Sequence, residues 1–246
     1  MRRFFINTPV SEIMAITGDD ARHIAMVLRL TPGDRVLLTG ADGKGCIAEI
    51  TQANATLVQL KWLETVEDNT EPPLAVYLVQ GLAKGEKMDF IVQKAVELGV
   101  YGIIPAATEH CVVKYDAAKK ADRVTRWQKI AREAAKQCGR SHIPHIYPVM
   151  ALNDIFANSE FASVHKIMLY EGQAAEGLKQ VLAAGKKQAC MLFIGPEGGF
   201  SSGEVNLCQQ HGAKIVSMGP RIMRTETAAL AALVSVMYEC GDLGGS

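Results

Sequence analysis

The chain has 246 residues, 48% of them hydrophobic, and its 26 acidic residues balance 26 basic ones. That length admits one large domain or two ordinary ones with a well-filled core. The charge balance excludes a global field for polyanions, so any nucleic-acid contact must come from a local basic patch. No stretch reaches the roughly 20 apolar residues of a membrane span, and the first nine residues lack the apolar segment of a secretory signal. The expected location is therefore cytoplasmic, with no membrane partner. Six cysteines without a CxxC pair fit neither a zinc ribbon nor a disulfide framework. His110, Cys111, Cys138, His142 and His145 are metal-ligating types, but their spacing matches no zinc pattern, so no metal is expected.

Residues 1–71 read as β-rich. Asp34–Thr39 alternates, Ala41-Asp42-Gly43 is a turn signal, and Cys46–Ile50 and Thr56–Leu60 are further strands. Together they predict a small barrel. A short helix interrupts it, with Asp19 or Asp20 as N-cap, running through Leu28 and ending before Thr31-Pro32-Gly33. Residues 67–73 are acidic and close on a double proline, which marks a linker and divides the chain into domains 1–71 and 72–246.

Beyond the linker, strands and helices alternate. Strands are predicted at 74–80, 103–105, 166–170, 189–194 and 214–218. Helices are predicted at 86–98, 117–138, near Asn153, around Leu178–Leu182, at 202–211 and at 225–240. Such alternation predicts an α/β domain with a mostly parallel sheet covered on both faces. From Thr227 through Met237 the last helix carries no charge, and a helix apolar on every side is expected to be buried on every side. Its alanines also admit close approach of another backbone, including that of a second subunit.

Two glycine-rich turns come directly after the last two predicted strands. They are Gly195-Pro196-Glu197-Gly198-Gly199-Phe200 and the segment from Met218 to Thr227, and Glu197, Arg221, Arg224 and Glu226 are concentrated in them. Open α/β sheets bind ligands at the carboxyl ends of their strands, which makes the two turns one candidate site. Gly199-Phe200-Ser201-Ser202-Gly203 satisfies G-x-S-x-G, yet four residues separate it from the strand and no Asp then His comes after it in that order. Ser201 with Glu204 reads instead as a capping box. Neither a dinucleotide-binding GxGxxG nor a P-loop is present.

The sequence Ile194–Ser201 with Gly219–Ala229 closely resembles the RsmE family of ribosomal RNA small-subunit methyltransferases, which methylate a uridine at N3. Lys84–Asp89, Lys94–Val100, Gln137–Ser141, His23-Ile24 and Val27-Leu28-Arg29 resemble other blocks of that family, so the likeness runs the length of the chain. Met218 and Met223 stand where the family carries leucine, and Cys138 where it carries serine. The resemblance implies an N-terminal PUA-like β-barrel that binds RNA and a C-terminal SPOUT domain with a deep trefoil knot. It implies a homodimer with S-adenosyl-L-methionine as cofactor and 16S rRNA of the small ribosomal subunit as substrate. By the same resemblance, the cofactor is held by Leu169, Tyr170, Glu171, Ile194, Gly195, Pro196, Glu197, Gly199, Met218, Gly219, Arg221, Ile222, Arg224, Thr225 and Thr227.

Methylation at uracil N3 requires loss of a weakly acidic proton from a group that is normally base-paired, so the base must be unpaired or flipped. Glu226, or else Glu197, is the candidate proton acceptor; Arg224 or Arg140 is the candidate stabiliser of charge on the uracil oxygens. The plainer reading of Glu226, a first-turn acid favoured by the helix dipole, has equal standing. RNA contact is expected from Arg2, Arg3, Arg22, Arg29, Arg126 and Arg140. A related knotted methyltransferase with another RNA target, and a noncatalytic assembly factor of the same fold, are the alternatives.

Overall fold

The computed structural model describes residues 1–67, 69–172, 176–184 and 188–245, and the chain divides into two compact units. Asp68, in the expected linker, lies outside the described residues. One unit takes residues 1–71 together with 135–143, and the other takes 72–134 and 144–246. Glu71 explains the inclusion of 135–143. Its carboxylate accepts from Arg140 Nη2 at 2.6 Å and from the amides of Ser141 and His142 at 3.0 Å each. Lys136 adds an ion pair to Asp20 at 2.6 Å.

In the first unit, β1 (Arg3–Phe5), β2 (Ile13–Thr17), β3 (Arg35–Thr39), β4 (Gly45–Ala53) and β5 (Leu57–Val66) form a curled sheet in the order β1-β3-β4-β5-β2. Only β1 and β3 pair in parallel. Period-two alternation sends Met14, Ile16, Val36, Leu38, Cys46, Ala48, Ile50, Val58 and Leu60 into one core. Two register shifts in β4 against β5 bend the ladder, as bulges do. The helix α1 (Gly18–Arg22) begins earlier than expected, with extended Thr17 as its N-cap. It then widens into a π-helical turn over His23–Val27, where Leu28 N donates to His23 O at 2.9 Å. Arg29, at φ 54°, ends it.

The second unit runs through β6 (Ala75–Gly81), α2 (Lys87–Glu97), β7 (Gly102–Ala106), α3 (Ala117–Cys138, its last turn counted with the first unit), β8 (His145–Ile146), α4 (Leu152–Ala157), β9 (His165–Leu169), β10 (Glu176–Gly177), α5 (Leu178–Ala183), β11 (Ala189–Ile194), α6 (Ser202–Gln210), β12 (Lys214–Ser217) and α7 (Thr225–Cys240). All seven strands pair in parallel in the order β10-β12-β9-β11-β6-β7-β8. β6 and β11 lie centrally and are buried along almost their whole length, which is why they read as unbroken apolar runs. Tyr77, Val79, Met168, Met191, Phe193, Val205 and Ile215 share one core on one side of this sheet. β8 and β10 have two residues each and carry no periodic signal of their own.

α7 buries Thr225, Ala229, Ala232, Leu233, Val236 and Met237, a single stripe at helical spacing, while Val234 and Tyr238 are 40% and 68% exposed. The chain by itself covers only one face of this helix.

Gly81 ends β6 where the turn after β11 passes close by. A Cβ on Gly81 would stand 2.5 Å from Pro196 Cδ and 2.6 Å from Pro196 N. Gly81→Ala is expected to destabilise the fold by about 1–3 kcal/mol through overpacking against backbone. A lower urea midpoint at unchanged slope is the measurement that checks it.

Candidate functional site

Parallel pairing brings the C-terminal ends of β6, β9, β11 and β12 to one edge of the sheet, and the segments leaving these four strands bound a cavity of about 820 Å³. That volume lies within the range of small-molecule sites. Leu169, Tyr170 and Glu171 line it after β9; Ile194, Gly195, Pro196, Glu197 and Gly199 after β11; and Ser217 through Thr225 with Ala228 after β12. Lys84 and Lys87 complete the wall from the loop after β6 and the start of α2.

The turn after β11 is held from several sides. Gly199 N donates to Pro196 O at 2.9 Å, and His110 Nδ1 donates to Gly198 O at 2.9 Å. Ser201 caps α6 as its spacing predicts: Glu204 N donates to Ser201 Oγ at 3.2 Å and Ser201 N donates to Glu204 Oε2 at 2.9 Å. The other Glu204 oxygen accepts from Glu109 N at 2.9 Å, so one carboxylate joins the 107–113 loop to this turn.

A buried relay joins the turns to the sheet. Gln80 Nε2 donates to Thr225 Oγ1 at 2.8 Å and to Gly81 O at 2.9 Å, and Thr225 Oγ1 donates its own proton to Gly195 O at 2.6 Å. The start of α7 is thereby fixed against the ends of β6 and β11. The Thr225 hydroxyl is fully engaged, and the residue is 5% exposed.

Charge is distributed unevenly around the cavity. Lys87 Nζ lies 3.1 Å from Glu197 Oε1 and 3.1 Å from Glu226 Oε2, and Lys84 N donates to Glu197 Oε1 at 3.2 Å. Burial works against the Lys87 ammonium, but the two carboxylates outweigh it and hold its pKa above the ordinary lysine value. Burial likewise works against ionised Glu197 and is overcome by its own amide, by Lys87 and by the Lys84 amide, so its carboxyl is held low. Glu226 is also held low, burial being outweighed by its own amide, Lys87 and Arg224. Its Oε2 is buried and meets Lys87 as an ion pair without an aligned hydrogen bond. Lys84, Arg221 and Arg224 are exposed on the rim and have no carboxylate partner among the described residues.

The cavity gathers every expected cofactor residue except Thr227, which is exposed on α7. Arg224 lines it; Glu226 sits behind Lys87. Arg140 is not in the lining. It is 4% exposed, and its guanidinium is engaged by Glu71 within the first unit. Arg3 is likewise buried, donating to Thr39 Oγ1 at 3.0 Å, so it offers no exposed cation to RNA. Arg126 pairs with Asp89, at 3.0 Å through Nε and 2.6 Å through Nη2, while Arg2, Arg22 and Arg29 are exposed. Sequence spacing missed Lys84 and Lys87, although both fall in a block that resembles the family; only strand topology carries them to the turns.

Thr225→Val keeps the shape of the side chain but removes the hydroxyl of the relay, leaving Gln80 Nε2 and Gly195 O short of a partner. The expected cost is about 1–3 kcal/mol, read from chemical unfolding.

Comparison with known proteins agrees with this geometry. Residues 70–237 match the family model of an RNA methyltransferase domain, and residues 16–62 match that of an RNA methyltransferase PUA domain. The chain is 32% identical to ribosomal RNA small subunit methyltransferase E of Bacillus subtilis, over 100% of this chain and 99% of that one. It is 29% identical to the protein of the same name from Mycobacterium tuberculosis, over 95% and 90% of the two chains. Ribosomal RNA small subunit methyltransferase E from Neisseria gonorrhoeae, solved bound to S-adenosyl methionine, superposes with a TM-score of 0.86 at 31% identity, covering 98% of this chain and 99% of that one. With both units matched and relatives aligned along its length, the chain belongs to the ribosomal RNA small subunit methyltransferase E family.

Proposed function

We propose that this protein transfers a methyl group from S-adenosyl-L-methionine to N3 of a specific uridine in 16S rRNA of the small ribosomal subunit. The observation that carries this reading is the cavity at the ends of β9, β11 and β12, walled by main chain and rimmed by cations without partners. Two features fit the cofactor. A Cβ on Gly219, at φ 109°, would meet no atom within 4 Å, so the chain there presents bare backbone to open space. The main-chain groups of Met218, Arg221, Ile222 and Met223 take no hydrogen-bond partner among the described residues, which leaves donors and acceptors for an adenosyl group. The cofactor supplies a methyl group already activated by positive sulfur, so the protein's task is mainly orientation.

Leu169, Tyr170, Glu171, Ile194–Glu197, Gly199, Met218, Gly219, Arg221 and Ile222 form the cofactor walls in this reading. Thr225 acts through its relay. Arg224, exposed and without a carboxylate partner, is the group offered to charge developing on the uracil oxygens as N3 loses its proton. Glu226, held ionised against Lys87, is better suited to holding the site than to taking up that proton. The cations Lys84, Arg221 and Arg224 suit approach of an RNA backbone, and Arg2, Arg22 and Arg29 are the exposed candidates in the first unit. The uncovered Val234 and Tyr238 on α7 support a homodimer. The strand order, with α7 fixed between the ends of β6 and β11, supports a knotted arrangement.

Calorimetry is expected to show S-adenosyl-L-methionine binding to the free chain, and mass spectrometry of nucleosides from treated small subunits is expected to show 3-methyluridine. No cofactor binding, or methylation of another atom, overturns the reading. At saturating cofactor, Arg224→Ala is expected to lower turnover by about 10²–10³, the effect of losing one charge-stabilising donor. Glu226→Gln is expected to keep turnover within about tenfold of the parent, short of the loss of a general base.

A further inference from the structure

Lys87, Glu197 and Glu226 come from three separate segments: the first residue of α2, the turn after β11 and the first turn of α7. One ammonium stands 3.1 Å from a carboxylate oxygen of each of the other two. All three side chains are largely shielded, at 27%, 21% and 18% exposed, so their interactions are less screened than surface pairs. Without the ammonium, two carboxylates would face the same small volume with like charge, which disfavours ionisation of both and pushes them apart. Lys84 also holds Glu197 through its amide, and the charge of Arg224 adds to that of Lys87 in keeping Glu226 ionised.

We propose that Lys87 is a positioning residue that ties the two cavity turns together, so that the cofactor turn at Glu197 and the start of α7 next to Arg224 hold one spacing. The identity of what the cavity binds rests on the function proposed above; the tie itself is a property of the free chain. The relay through Gln80 and Thr225 joins the same two segments by hydrogen bonds at Gly195 O and Thr225 Oγ1, and Lys87 adds an ionic tie between their side chains at the cavity wall.

The pH dependence has a definite sign. Glu197 and Glu226 are held below the ordinary glutamate value, so their contribution is complete above that value and is lost as pH falls through the folded-state values. Lys87 is held above the ordinary lysine value, so its contribution is present below that value and is lost as pH rises through the folded-state one. The tie is therefore intact at neutral pH and fails first in acid or in strong base.

The test is Lys87→Met, with two readouts. In the free chain, carbon NMR titration of the Glu197 and Glu226 carboxyls is expected to move both to higher pH than in the parent. Calorimetry with S-adenosyl-L-methionine is expected to show affinity reduced about tenfold or more, as for removing one partner of a shielded ion pair. Glu226→Gln is expected to weaken binding as well, and adding it to Lys87→Met to cost little more, because both remove the same contact. The melting midpoint without ligand checks that each variant folds, and Glu226→Gln serves if Lys87→Met does not. Unchanged carboxyl titration, unchanged affinity or additive losses overturn the tie. If the parent chain does not bind the cofactor, the proposed function falls and the carboxyl titrations alone decide the tie.

Discussion

Parallel pairing of β6, β9, β11 and β12 forces four strand ends onto one edge of the sheet, where each must stop and leave main-chain groups without a ladder partner. Those ends could not hold a defined cavity if each loop relaxed independently. The Thr225 hydroxyl prevents this by accepting from buried Gln80 and donating to Gly195 O, so a helix start, a central strand and a turn share one short chain of hydrogen bonds. Because Gln80 and Thr225 are buried, breaking their bond leaves buried polar atoms short of a partner, and this makes the relay a strong constraint. The close passage of Gly81 by Pro196 depends on the same geometry.

Electrostatics divides the arginines and lysines by task. Arg140 is bound to Glu71 and draws residues 135–143 into the first unit, Lys87 is bound to two glutamates, and Arg3 is buried against Thr39. Lys84, Arg221 and Arg224 stay exposed on the cavity rim. A chain with no net charge thus carries a local excess of positive charge beside a cavity of ligand size. The distinction between an engaged and an available cation is invisible in composition, because it depends on a partner far away in the chain.

Much of the second unit was legible residue by residue. α3 and α7 run over the spans expected from their periodicity, β11 occupies 189–194, and Ser201 caps α6 through the box its spacing describes. The misses share a cause. β8 and β10 exist only because a neighbouring strand offers them hydrogen bonds, and the π-helical turn at His23–Val27 is set by how the chain leaves it at Arg29. α7 leaves Val234 and Tyr238 exposed, because the contacts made by one chain cover a single face of the helix whose Thr227–Met237 run carries no charge.

The sequence by itself determined the elements of the second unit other than β8 and β10, and the two turns that wall the cavity, since strand runs, helix periodicity and glycine turns are local and arise from steric and hydrophobic preferences of neighbouring residues. It also determined the family, through blocks spread along the chain. Only the tertiary structure decided that Lys84 and Lys87 stand at those turns, that Glu226 meets an ammonium, and that Arg140 is occupied elsewhere. Charge pairing and burial are set by contacts between residues far apart in sequence, and no local pattern encodes which two segments a parallel sheet will bring together.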